Sequence, residues 1–460
     1  MSLTPNLGRA PQDLQYGARP KIWFAVYQLL WHLLLPFAFI RLAWRMRHSS
    51  DYLNHFSERL GFSYGKNITQ GSVWIHAVSV GETRAAQPLV EAYLERGETV
   101  LLTHMTLNGR RTGAALFAKA IAAGRLRQVY LPYDLCWSVA NFMRAFKPKF
   151  GLFMETEAWP TVVFYCAEIS LPLFLVNARL SERSARRVNR FGKAGRSLFQ
   201  AFTGILAQTQ FDADRYRSLG VNNVEIVGNL KFDVPLDPSL VQQGKSWKQE
   251  LHANQRLMVC AASTRDGEEA IILQAWRDLL LSNAFDVAPL LCLVPRHPER
   301  FSEVANQIQD AGLKFRPRSE WIEAPKGDAD VDVILGDSMG EMPMYYSAAD
   351  LVVMGGSLLP FGGQNLIEAC AAGCPVLLGE HTYNFQQAAL DAIKMGAAKR
   401  IQGELILSEP VALMEALKEL LLNTAELARM SSAATAYSIE HQGATKKILA
   451  ALEYQNFTLN

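Results

Sequence analysis

The stretch from Leu351 to Gln386, LVVMGGSLLPFGGQNLIEACAAGCPVLLGEHTYNFQ, leaves a chain few ways to fold. Its apolar start, Leu351 to Met354, reads as a buried strand that Gly355 and Gly356 terminate. Pro360 to Gly363 makes a tight loop. A helix pattern follows from Gln364 to Ala372, and Gly373 stands where a helix-ending glycine belongs. Pro375 then leads into a second buried strand, Val376 to Leu378. Strand, glycine loop, helix and strand form a βαβ unit, which demands a parallel sheet with ligands at the carboxyl ends of its strands. The unpaired N–H groups at the start of the helix favour an anion. Gln364, Asn365 and Glu368 fall within four positions of one another and share one helix face. An amide and a carboxylate so placed can hold ribose hydroxyls while backbone N–H groups hold a phosphate. The plainer reading is a packing loop.

The same alternation fills most of the chain. Strands are expected at Val73 to Val78, Thr99 to His104, Gln128 to Leu131, Phe150 to Met154, Leu173 to Val176, Ile205 to Ala207 and Val224 to Val227. A second series runs through Arg256 to Ala261, Leu290 to Val294 and Val331 to Leu335 before reaching the βαβ unit. Helical patterns between the strands predict two α/β, doubly wound, Rossmann-like domains facing a cleft, as 460 residues exceed what one core holds. The expected divisions are 1–48 (tail and membrane-anchor helix), 49–232 (first domain), 233–249 (linker), 250–430 (second domain) and 431–460 (a last helix packing across both).

The anchor reading rests on Ile22 to Ile40, interrupted only by Gln28, His32 and Pro36. At 1.5 Å per residue the run is about 28 Å long, barely a hydrocarbon core. Arg19 and Lys21 precede it, and Arg41, Arg45 and Arg47 follow, whereas a spanning helix concentrates cations on one side. A monotopic helix lying in or dipping into the cytoplasmic leaflet is therefore expected, with a single span as the alternative. A formal charge of +2 excludes a strong electrostatic attraction to nucleic acid. Six cysteines without a CxxC pair imply reduced core thiols, and neither a zinc site nor a disulfide frame.

Candidate chemistry lies just past strand ends. Glu82 closes His76-Ala-Val-Ser-Val-Gly-Glu82, where it could take a proton from an attacking hydroxyl or merely cap the next helix. Glu155 and Glu157 follow another strand and, in extended geometry, share a side for sugar hydroxyls. NARLSERS from Asn177 to Ser184 offers Arg179 and Arg183. In the second series, Ala262 to Glu269 (ASTRDGEE) supplies a helix start as a phosphate candidate. Arg296, just past a strand, could balance a phosphate or sugar carboxylate. The Gly336 to Glu341 backbone could read a base edge beside Tyr345 and Tyr346. Two Asp-x-Asp triplets, Asp212–Asp214 and Asp328–Asp330, sit in a charged helix and a polar lead-in, so no metal site is expected. The glycine loop is neither GxGxxG nor GxxxxGK[ST].

Taken together, WIHAVSVGE (74–82), METEAWP, NARLSERS, LVPRHPERF, GDSMGE and GGQN..E..A.G.PV resemble the 3-deoxy-D-manno-octulosonic acid (Kdo) transferases of lipopolysaccharide inner-core synthesis. The resemblance spans nearly the whole chain. Two motifs depart from it: the family's GGHN is Gly362-Gly-Gln-Asn365, and its GSTH is Ala262-Ser-Thr-Arg265. The resemblance implies a GT-B fold, with CMP-Kdo on the second domain and a lipid A precursor on the first. It implies inverting transfer of Kdo to a glucosamine hydroxyl, with no metal or other cofactor. By motif, Glu82 is the expected general base, and Ser263, Arg296 and Asn365 are expected on the phosphate side. Glu368 is the expected ribose ligand, and the Gly340–Glu341 backbone a cytosine contact. A membrane anchor, with inner-membrane lipids as partners, suits an amphiphilic acceptor. The rival expectations are a GT-B enzyme using a UDP-sugar and a non-catalytic, membrane-bound nucleotide-sugar binding module. The acids on the first domain argue against the latter.

Overall fold

The structure, a computed structural model, describes residues 20–46, 55–65, 69–320, 331–401 and 409–457. The chain forms two compact units, one of residues 1–234 with 442–460 and the other of 235–441.

The first unit is built on seven strands, all parallel: β1 (Val73–His76), β2 (Val100–His104), β3 (Leu126–Tyr130), β4 (Phe150–Met154), β5 (Leu173–Ala178), β6 (Gly204–Ala207) and β7 (Val224–Ile226). Their order is β3-β2-β1-β4-β5-β6-β7. The central strands are mainly apolar because both their faces are covered, whereas the edge strands β3 and β7 carry Arg127, Gln128 and Glu225. Trp74, Leu101, Phe153 and Leu175 join one core, while their neighbours Ile75, Leu102, Leu152 and Val176 join the core on the opposite face. The connections reverse direction between β1 and β4, so that pair flanks the crevice in which ligands bind in such sheets.

The second unit repeats the design with β8 (Met258–Thr264), β9 (Leu290–Pro295), β10 (Phe315–Pro317), β11 (Val333–Leu335), β12 (Leu351–Met354), β13 (Val376–Leu378) and β14 (Ala398–Arg400). Their order is β10-β11-β9-β8-β12-β13-β14, again all parallel, with the reversal between β8 and β12.

Four expectations change. The two edge strands β10 and β14 escape the apolar-run criterion because neither is apolar: they read Phe-Arg-Pro and Ala-Lys-Arg. The region 233–249 is no linker; the helix Pro238–Ala253 begins there, capped by Asp237 with Pro238 in its first turn. Proline at that position starts a helix rather than breaking one. Gly244 of this helix is buried where a Cβ would collide with the Met344 carbonyl oxygen, and Trp247 is fully buried beyond it. The expected single helix from Ser431 to Glu453 is two, Thr424–Glu440 and Ala444–Phe457. Gly443, at φ +99°, breaks it, and the Asp233 carboxylate accepts the N–H groups of Gly443 and Thr445 at 2.7 and 2.6 Å. The two halves belong to different units.

The fourth is the single-span alternative for the helix Lys21–Met46. Among the described residues no helix is long and apolar enough to cross a membrane. One face of this helix is instead seated on the first unit. Phe24 packs edge-on against Phe164, Tyr27 donates to the Asp134 carboxylate at 2.7 Å, and Gln28 donates to Thr161 at 2.7 Å. Ile22, Val26, Leu29, Leu33, Phe37 and Ile40 lie on the other side and are exposed, Ile22 by 84%. The side chains of Arg19, Arg41, Arg45 and Arg47 lie outside the described residues.

Candidate active site

In the first unit, candidate residues gather at the strand pair where the sheet reverses. After β1 the chain turns into the helix Val80–Glu95, with Ser79 as its N-cap. Glu82 is in the first turn, and its Oε2 accepts the backbone N–H groups of Val78 and, at 3.4 Å, Ser79. Capping and a chemical role are therefore not exclusive: one oxygen is tied to the cap. Burial first, and then the negative charges of Glu157 and Glu155, push the Glu82 carboxyl up to about 8; its backbone donors oppose this.

Glu155 and Glu157 come from the end of β4, though not in extended geometry. Glu155 has φ +54°, a left-handed conformation costly for a residue with a Cβ. Its N–H bonds the Val176 carbonyl, and the Glu157 N–H returns to Met154, so the chain turns at once instead of continuing the strand. The Glu157 carboxylate accepts from Trp159 Nε1 at 2.8 Å; burial raises its pKa and that hydrogen bond lowers it. Glu155 pairs with Lys231 at 2.8 Å.

Lys231 was not anticipated. It lies in a short 3-10 turn, Leu230–Phe232, whose neighbouring side chains are buried. A lysine between two apolar residues just after a strand was the only available signal. The turn is fixed by Asn177, at φ +51°, whose Oδ1 accepts the Leu230 N–H at 3.0 Å. Of the NARLSERS arginines, Arg179 bonds the Glu155 carbonyl through its own N–H, while Arg183 is exposed on the helix Glu182–Arg190.

In the second unit, candidate residues gather at its own reversal, between β8 and β12. Ser263 lies near the end of β8 at φ +57°, at an irregularity in the β8–β9 register. Arg296 follows β9; its N–H bonds the Thr264 carbonyl and its side chain is exposed, with no carboxylate partner among the described residues. The helix expected from Gln364 begins later, at Leu366, because Asn365 is its N-cap and accepts the Ile367 N–H. Asn365 Nδ2 also donates to Glu368 at 3.0 Å. The charges of Glu368 and Arg296 both act on the buried Tyr346, whose hydroxyl burial holds well above its usual pKa. These two candidates are thus brought to one locality.

Gly340, at φ +88°, and Glu341 precede the helix Met342–Ala348. The Glu341 carboxylate is engaged by Arg318 at 3.0 Å and by Ser338, and the Glu341 carbonyl accepts the N–H groups of Met344 and Tyr345 at 2.9 and 3.2 Å. Arg265 stands 4.8 Å over the Phe361 ring. Asp212 is buried and spent on the Leu180 N–H and the Thr209 hydroxyl, while Asp214 faces Gln210 and Arg217. Asp328 and Asp330 lie outside the described residues.

Against known proteins, residues 54–234 match the family model "3-Deoxy-D-manno-octulosonic-acid transferase (kdotransferase)", and residues 286–437 match "Glycosyl transferases group 1". The chain is 46% identical to the 3-deoxy-D-manno-octulosonic acid transferase of Bordetella pertussis, over 83% of this chain and 86% of that one. It is 35% identical to the enzyme of that name from Haemophilus influenzae, over 88% and 92% of the two chains. In fold it is similar to the UDP-GlcNAc 2-epimerase of Neisseria meningitidis bound to UDP-GlcNAc. That similarity has a TM-score of 0.55 at 15% identity and covers 83% of this chain and all of the other. With the first unit matched to that transferase domain and relatives aligned along most of its length, the chain belongs to the 3-deoxy-D-manno-octulosonic acid transferase family of glycosyltransferases.

Proposed function

We propose that the protein transfers Kdo from CMP-Kdo to a glucosamine hydroxyl of a lipid A precursor, with inversion at the anomeric carbon. The observation that carries this reading is the carboxylate group at the reversal of the first sheet, where Glu82 is pushed up to about 8 by burial and two acidic neighbours. A carboxyl with a pKa near the working pH is a stronger base than an ordinary one. The acceptor oxygen forms a bond to the Kdo anomeric carbon, the bond from that carbon to the CMP phosphate oxygen breaks, and CMP leaves with the electron pair. The hydroxyl proton goes to Glu82. Glu155 and Glu157 hold sugar hydroxyls, and the Lys231 pairing keeps the neighbouring negative charge from becoming prohibitive.

In the second unit, Arg296 and Ser263 would meet the phosphate, Glu368 the ribose as Asn365 orients it, and the Gly340–Glu341 backbone the cytosine. A monophosphate needs one anion pocket rather than a triphosphate cradle, which suits a loop without a P-loop motif. Membrane attachment at the cytoplasmic face of the inner membrane belongs to the same proposal. The exposed apolar stripe from Ile22 to Ile40 supports a helix lying in the interface with its other face on the first unit.

Calorimetric titration of CMP and UDP into the full chain tests the donor. Preferential binding of CMP is expected; tighter binding of UDP would transfer the reading to a UDP-sugar enzyme.

A further inference from the structure

The loop after β12 is closed by a residue to which the proposed chemistry gives no part. Glu268 opens the helix Glu268–Leu281 and is fully buried. Its carboxylate accepts four backbone N–H groups: Arg265 at 2.9 Å, Gly356 at 2.6 Å, Leu358 at 2.9 Å and Leu359 at 3.3 Å. Among the described residues no cation faces it, so its charge is met by main-chain dipoles alone. Convergent N–H groups of this kind form a nest that elsewhere cradles a bound anion. Here the anion is covalently attached to the chain.

The contact spans the reversal of the second sheet, because Arg265 follows β8 whereas Gly356, Leu358 and Leu359 follow β12. The two strand ends also touch directly: a Cβ on Gly355 would collide with the Ser263 carbonyl oxygen. Ser357 fastens the middle of the loop, donating to the Met354 carbonyl and accepting the Gly379 N–H at 2.8 Å. Beyond the loop, Gly363 N–H returns to the Gly356 carbonyl, two residues before Asn365. Whatever fixes Gly356 therefore fixes the start of the helix that carries Asn365 and Glu368.

We propose that Glu268 is a positioning residue for the nucleotide-sugar donor: its carboxylate fills the anion nest of the loop Gly356–Leu359 and holds Ser263, Asn365 and Glu368 in register. Two consequences follow. The nest is not available to the donor phosphate, whose charge falls to side chains such as Arg296. And a small carboxylate added from solution should replace the missing one when Glu268 is truncated. This inference rests on the second unit binding a cytidine nucleotide.

The experiment titrates CMP into the full chain as wild type, Glu268→Ala and Glu268→Gln, each with and without sodium formate. Wild type binds CMP and ignores formate. Glu268→Ala binds roughly 10- to 100-fold more weakly, the range for losing a charged hydrogen-bond partner. Formate restores most of that affinity to the Ala variant. It does not restore the Gln variant, in which the amide occupies the space. CMP affinity in Glu268→Ala within about twofold of wild type would overturn the inference. So would a loss of affinity that formate leaves untouched. If Glu268→Ala does not fold, Glu268→Asp carries the test: the shorter carboxylate should weaken CMP several-fold, and unchanged affinity would overturn the proposal. Failure of the wild-type chain to bind CMP would instead refute the donor reading, and this inference with it.

Discussion

One oxygen of the Glu82 carboxylate is spent on the helix start, and that makes the proposed base role testable. Oε2 is bound to the Val78 and Ser79 N–H groups, which glutamine can still satisfy with its own carbonyl oxygen. Glu82→Gln should therefore change stability by about 1 kcal/mol or less, measured as a shift of the thermal midpoint. CMP affinity should not move. Transfer should fall by ~10²- to 10⁴-fold, the usual contribution of a general base. The pH profile is a second handle. A base must be ionised to act, and Glu82 is held at about 8, so kcat/KM should climb as pH rises towards 8 and level off above it. Part of that elevation comes from the negative charge of Glu157, so Glu157→Gln should move the ascending limb to lower pH. A limb at the same pH in both proteins would show that Glu157 does not act on the base.

At the scale of elements, the helix Leu366–Ala371 carries the donor prediction. Glu368→Ala should weaken CMP binding by ~1–3 kcal/mol in calorimetry, and Asn365→Ala by less, because Asn365 acts partly through Glu368. Equal affinities in all three proteins would remove this helix from the site. Most elements were legible because buried parallel strands must be apolar, and the central strands of both sheets stand out as short apolar runs. The edge strands β10 and β14 were not, since an edge is half exposed and its residues need not be apolar. The helix at Pro238 was hidden by prolines that the eye takes for a linker. The candidates Glu82, Glu155, Ser263 and Arg296, picked from sequence, all stand at or just past a strand end, where ligands meet such sheets. Lys231 and Glu268 were not legible, because their partners are 76 and 88 positions away and only the folded sheets bring them together. The extended pairing expected of Glu155 and Glu157 failed for a local reason, a left-handed residue that sequence alone does not announce.

At the scale of the molecule, the N-terminal helix cannot simply be removed. Phe24 belongs to the core of the first unit, and Tyr27 satisfies the buried Asp134, so truncation would damage the fold along with any attachment. Substitution of the outer face is the cleaner test. Leu33→Glu with Phe37→Glu should cut partitioning onto vesicles of inner-membrane composition by roughly tenfold or more, since each buried apolar side chain contributes about 1.5–3 kcal/mol. CMP affinity should be unchanged; undiminished vesicle binding would take this helix out of the attachment. The central claim is the reaction itself. The most direct measurement is a mass spectrum of lipid A precursor after incubation with CMP-Kdo and the purified protein, wild type beside Glu82→Gln. The account predicts Kdo-bearing product with wild type, and little or none with a Glu82→Gln protein that still binds CMP. No product from a folded wild type, or equal product from both, would contradict it.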